Sequence, residues 1–293
     1  MKKNYKDTLI RSILIALLAW SAAMPAPAAK KAKRPMKYRN VTEAATTLYE
    51  SANSEIASGK YLLADTHLAE AYSQAVSVDN RDLLCKISLS KAVLCHSTGT
   101  DFTPALDEAR HFAASADEKD FLQAVCTLYE ADLKGAQADM EKLNSAEKMV
   151  AKDAYYLAYL FRIKANLYAL QQDYMNGERY YLMAADLHTK ECYLSEIGLD
   201  WYQISRMRSL IGKKKTALEA LETAIKYDRD AENTTALGSD YFAKALVLTK
   251  NGATDAEKKE ALENAKWARE IFTAGEYKAM ADRCDLFIKG LDQ

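Results

Sequence analysis

Glycine and proline are scarce in this chain: 293 residues include ten glycines and four prolines, and three of the prolines fall within the first 35 positions. So few turn formers exclude the many tight hairpins of an all-β protein, and the abundant Ala, Leu, Lys and Glu are helix formers. No stretch alternates apolar and polar residues for long enough to make a half-buried strand. An excess of one charge is missing too. With 40 basic and 41 acidic residues the net charge is −1, so overall charge calls for neither nucleic acid nor membrane. Phosphate-cradling and dinucleotide glycine loops, the G-x-S-x-G elbow and H-E-x-x-H are all absent, so no enzyme is expected.

Metal ligands are sparse as well. Cys95 and His96 have no second spaced pair, and His67, His111 and His188 stand alone, so neither a metal nor a cofactor is expected. The five cysteines (Cys85, Cys95, Cys126, Cys192 and Cys284) are odd in number and scattered, which is not a disulfide framework. They read as small apolar fillers, with one bridge between neighbouring helices left open in an oxidising compartment. Cys85 and Cys95 fall on one expected helix about 15 Å apart along its axis, too far to bridge each other.

The N-terminus carries an address. Lys2, Lys3, Lys6 and Arg11 precede the apolar run "SILIALLAW", and "SAAMPAPAA" follows, the order of a secretory signal peptide. Ala26 and Ala28 fit the small-x-small pattern, which places the cut after Ala28, and no cysteine nearby would anchor a lipoprotein. The run from Ser12 to Met24 is too short to span a bilayer comfortably. A periplasmic or secreted protein is therefore expected. Residues 29–40 hold six basic side chains and read as a flexible, solvated arm, better suited to an anionic membrane surface than to nucleic acid. Losing residues 1–28 removes four basic and one acidic residue and leaves a net charge of −4.

From about Val41 the chain falls into helix-length blocks separated by short polar breaks, about thirteen helices with antiparallel sequential neighbours. No composition shift marks a domain boundary after that point. The blocks repeat. In "DWYQISRMRSLIGKKKTALEALETAIKYD", Trp201, Ile204, Ser205 and Arg208 precede a break at Gly212, and Ala217, Leu221 and Ala224 follow it. Phe161, Ala165 and Tyr168 followed by Tyr174, Gly177, Tyr181 and Ala184 form a second copy. Leu48 and Ala52 with Tyr61, Ala64, Leu68 and Ala71 form a third, and Tyr241, Ala245 and Leu248 with Ala261, Ala265 and Ala268 a fourth. The stretch 83–112 matches loosely through Ala105 and Ala109, and 121–149 hardly at all. Small residues at this spacing let two helices cross closely, so Ser205, Ala217 and Ala224 are expected at crossings, with Trp201 and Leu221 filling the space beside them.

The pattern resembles the tetratricopeptide repeat, with W-x-x-L-G-x-x-Y on its first helix and A-x-x-x-F-x-x-A on its second. Here the period runs near 40 rather than 34 and the closing proline is missing, which keeps HEAT-like pairs open as an alternative. The resemblance implies an all-α, right-handed superhelical solenoid of about six hairpins over residues 41–274, with residues 275–293 as a capping helix and tail. It also implies a concave groove lined by first helices that receives a peptide or helix of a protein partner. Projecting those helices from the crossing residues puts Tyr49, Asn53, Arg162, Asn166, Tyr202, Arg206, Phe242 and Leu246 in the groove. Aromatic, amide and guanidinium groups suit peptide capture. Arg162, Asn166 and Gln203 also match part of a carboxylate-holding set, whose next basic pair is replaced by Ser239 and Ala243. The expected role is a non-catalytic scaffold of the bacterial cell envelope, and the alternative is a small-molecule or lipid-binding accessory of an envelope transporter.

Overall fold

The computed structural model describes residues 36–250 and 252–291. Among them are thirteen α-helices and no strand, as the composition implies. They are α1 (Met36–Ala57), α2 (Tyr61–Ser77), α3 (Arg81–Thr98), α4 (Thr103–Ala114), α5 (Lys119–Lys134) and α6 (Met140–Val150). Then follow α7 (Ala154–Leu170), α8 (Tyr174–Lys190), α9 (Leu194–Leu210), α10 (Lys214–Asp230), α11 (Thr234–Thr249), α12 (Asp255–Ala274) and α13 (Lys278–Leu291). The chain forms two compact units, one ending at Lys152 and the other beginning at Asp153, where the sequence shows no change of composition. The proposed signal peptide and most of the basic arm lie outside the described residues. Helix α1 begins at Met36, inside the stretch expected to be a flexible arm.

The helices pack as hairpins: α1 with α2, α3 with α4 and α5 with α6 in the first unit, α7 with α8, α9 with α10 and α11 with α12 in the second. First helices also meet the first helices of the next hairpin, α1 with α3, α3 with α5 and α9 with α11. A single turn design makes most of these joints. Each turn is three residues long with its middle residue left-handed: Gly59, Asp79, Gln172, Cys192, Gly212, Glu232 and Glu276, at φ from 48° to 82°. The following amide then reaches back to a carbonyl five residues earlier, as in Asp173 N to Tyr168 O (2.9 Å), Lys213 N to Arg208 O (2.9 Å) and Asn233 N to Asp228 O (2.9 Å). This closes the carbonyls that a helix end leaves open. Asn80, Asp173 and Asn233 then start the next helix by accepting a hydrogen bond from a first-turn amide.

Small residues sit where the helices cross. Ser205, Ala217 and Ala224 are buried, Leu221 is fully enclosed beside them, and Trp201 packs partly buried on the Ile204–Met207 cluster. Ala45, Ala52, Ala64 and Ala71 do the same work in α1 and α2. In the second unit the repeat is regular: α7, α9 and α11 start at Ala154, Leu194 and Thr234, 40 residues apart. The weak match over 121–149 also has a structural counterpart. There α5 runs into a 3₁₀ turn, Gly135–Gln137, and α6 has only 11 residues. At the C-terminus α13 covers α11 and α12 with Cys284, Phe287, Ile288 and Leu291, as expected of a capping helix.

Candidate functional site

The groove projection singled out residues on the first helices, and many of these side chains turn inward. Tyr49 and Asn53 are buried in α1, and Ser90 of α3 donates to Asn53 Oδ1 at 2.6 Å. Burial raises the Tyr49 phenol above its usual value against the pull of Asn53 and Ser90. Gln203 and Phe242 are buried in α9 and α11. Arg162, offered as a hold for a partner's carboxylate, is 2% exposed and already has its acids. Its Nε donates to Asp200 Oδ1 at 2.5 Å, one Nη to Glu196 Oε2, and the other Nη to the Glu196 carbonyl at 2.6 Å. Burial opposes its charge, but Asp200 and Glu196 outweigh burial and hold the guanidinium above its usual value. A position three residues before the crossing thus lies on the seam between adjacent first helices, where a complementary neighbour closes it off.

Two seams in the second unit occupy matching positions. In the first, between α7, α8 and α9, His188 Nδ1 meets Asp200 Oδ2 at 2.6 Å and Asp200 also takes Arg162. Forty residues on, Tyr202 stands for Arg162, Asp228 for His188, Ala236 for Glu196, and Asp240 for Asp200. The second seam therefore buries two acids, each 1% exposed, and the Asp228 carboxylate sits so close to α9 that only glycine fits at Gly198. Burial pushes Asp228 up to about 7, with Glu196 adding to it and Asp240 opposing. Burial, together with the Asp228 charge, holds Asp240 well above the ordinary carboxyl range. A carboxyl enclosed in this way favours its neutral form. Both Asp228 oxygens and Asp240 Oδ2 are buried without a hydrogen-bond partner.

The groups left open lie beside this seam. Asn166, Tyr202 and Arg206 are half-buried and Leu246 is 41% exposed. Asn166 accepts from the Tyr181 hydroxyl at 2.5 Å, and Tyr202 rests on Ala217, Leu221 and Val247. Arg206 makes one long bond, 3.3 Å, to Gln203 Oε1. Arg283 of α13 joins it: the guanidinium lies 5.9 Å over the Phe242 ring, and its other contact is Met280 Sδ at 3.6 Å. Both arginines act on Tyr202, whose phenol is raised by burial, lowered by Arg206 and Arg283, and raised by Asp240. Among the described residues neither guanidinium contacts a carboxylate. Arg283 went unnoticed in the sequence because it falls in the capping helix. Its signal was there: Ala279, Met280, Leu286 and Phe287, one turn away on either side, are apolar and give the charge no partner.

Fold and site together define an all-α protein of tetratricopeptide-like helix hairpins. No protein family matches the chain by sequence, and no curated protein matches it either. Its fold is similar to that of aspartyl phosphate phosphatase F from Bacillus subtilis, with 14% identity, a TM-score of 0.56, and coverage of 88% of this chain and 72% of that one. At that identity the likeness carries the fold alone.

Proposed function

We propose that this chain is a non-catalytic protein-interaction module that holds a segment of a protein partner on the first-helix face of its second unit. Tyr202, Arg206 and Arg283 form the core of the contact, with Phe242 buried beneath Arg283 and Asn166 and Leu246 further along the same face. The observation that carries this reading is the pair of guanidiniums, half-buried beside aromatic rings with no acid to meet them. A partly desolvated charge is costly unless paired, and guanidinium takes a carboxylate in two parallel bonds. A side-chain or C-terminal carboxylate of the partner fits Arg206 and Arg283, and an apolar neighbour fits the half-buried Tyr202 ring. Tyr49, Asn53, Arg162 and Gln203 support the scaffold from inside rather than touching the partner.

The small-molecule alternative calls for a closed apolar chamber. Two cavities of the first unit are edged by charge rather than apolar: a trough of about 550 Å³ with Asp120, Asp139 and Glu141, and a cleft of about 250 Å³ with Asp65, Lys91 and Glu108. The similar Bacillus protein is named for action on an aspartyl phosphate. In this chain Asp200 of the first seam and Asp228 and Asp240 of the second are enclosed in the core, which favours binding over hydrolysis.

A photo-crosslinking residue placed at Asn166 or Leu246 in the native host should give adducts, and one at Met175 on the second helix α8 should not. Arg206→Glu with Arg283→Glu should abolish the adducts at an unchanged melting temperature. Adducts that survive the double change, or that arise only from Met175, remove the reading. The bacterial envelope setting rests on the N-terminal sequence. It is tested by fractionation and N-terminal sequencing, with Ala29 expected as the first residue of a periplasmic or secreted product and an intact Met1 in the cytoplasm as the contrary result.

A further inference from the structure

Five cysteines are too many to be treated alike in this fold. Cys95 is half-buried, Cys192 is exposed at a left-handed turn, and Cys284 is enclosed under α13 among apolar residues. Cys85 and Cys126 differ from these because they face each other. Cys85 lies on α3 and Cys126 on α5, the first helices of successive hairpins in the first unit, and their sulfurs are 3.8 Å apart with both residues fully buried. Neither is near another thiol on its own helix. The sulfurs are already in van der Waals contact, and a disulfide brings them to about 2 Å.

We propose that Cys85 and Cys126 form a disulfide that staples α3 to α5 when the chain folds in an oxidising compartment. The co-reactant is a small disulfide such as oxidised glutathione. The Cys126 thiolate attacks one of its sulfurs and releases one thiol as leaving group. The Cys85 thiolate then attacks Cys126 of the mixed disulfide and releases the second. Two protein thiols and one small disulfide become one protein disulfide and two small thiols, so the two electrons leave with the small molecule. With both sulfurs closed to solvent, the exchange belongs to folding, before α3 and α5 dock.

The test uses the processed chain refolded in a glutathione redox buffer, quenched with N-ethylmaleimide under denaturing conditions and mapped without reduction. The expected result is one cross-linked peptide pair joining Cys85 and Cys126, with Cys95, Cys192 and Cys284 alkylated. The oxidised protein should melt roughly 5–10 °C above the dithiothreitol-treated one, a difference absent in Cys126→Ala. Five alkylated thiols in the folded protein, or cross-links spread over other cysteine pairs, overturn the assignment. The peptide map is read on the unsubstituted chain, so a variant that fails to fold leaves it decisive.

Discussion

The two seams of the second unit occupy the same place in the repeat and are filled in opposite ways. Between α7 and α9, Asp200 is met by a guanidinium and an imidazole, and Glu196 shares the same arginine. Between α9 and α11, Asp240 meets Asp228, and tyrosine and alanine stand where the arginine and glutamate were. Helix geometry fixes which positions face the seam, and the side chains there decide whether it holds by charge pairing or only while a buried acid stays neutral. A buried ion cluster is bought at a desolvation cost, but removing one member leaves the others uncompensated. A buried acid pair works only while one of its members stays neutral.

The largest expected effect lies at the crossings the two seams have in common. Ala184→Arg and Ala224→Arg should each cost more than about 4 kcal/mol and abolish cooperative melting, since a long charge there must overpack or sit unpaired. If either variant melts like the parent, the 40-residue register is wrong. Next comes Arg162→Ala, which should cost about 3–5 kcal/mol by stranding Asp200 and Glu196. Measured by urea unfolding, a loss below about 1 kcal/mol would show that the first seam does not depend on its cation. For that reason Arg162→Ala cannot serve as a clean probe of partner binding.

The second seam should be smaller in effect and tied to pH. An unfolded aspartate titrates near about 4, whereas Asp228 is pushed up to about 7 in the fold. Between those values the folded state keeps a proton that the unfolded chain has lost. Stability therefore falls as pH rises from about 4 to about 7, and Asp240, also held well above the ordinary carboxyl range, adds to the fall. Asp228→Asn should lessen this fall, leaving the part that burial of Asp240 causes, and raise the melting temperature at pH 8 by several degrees, with thermal scans across pH as the check. The smallest effect is at a turn. Gln172 is left-handed at φ 63°, and Gln172→Gly should stabilise by about 0.5–1 kcal/mol, measurable by chemical unfolding.

Much of this architecture could be read from spacing alone. The crossing residues Ser205, Ala217 and Ala224 were identifiable because smallness at helical spacing has one physical use. The number of helices and the cap followed from the breaks and the last apolar block. The site was less legible, because whether a polar residue faces a partner or a neighbouring helix depends on side chains far away in sequence. Arg162 is closed off by Glu196 and Asp200, 34 and 38 residues later, and nothing near Arg162 announces them. The division at Lys152 was also hidden, since in a stack of hairpins any joint can be weak without a change of composition. Arg283 was overlooked for the opposite reason: its helix looked like a lid.

Transplanting one seam onto the other tests most directly whether position sets the contact and side-chain chemistry sets its behaviour. Tyr202→Arg, Asp228→His and Ala236→Glu together rebuild the α7–α9 cluster between α9 and α11, and the readout is the melting temperature from pH 4 to pH 9. A folded triple variant whose stability no longer declines between pH 4 and pH 7 is the outcome expected here. A variant that keeps the parent's decline, or that fails to fold while each single change is tolerated, contradicts it.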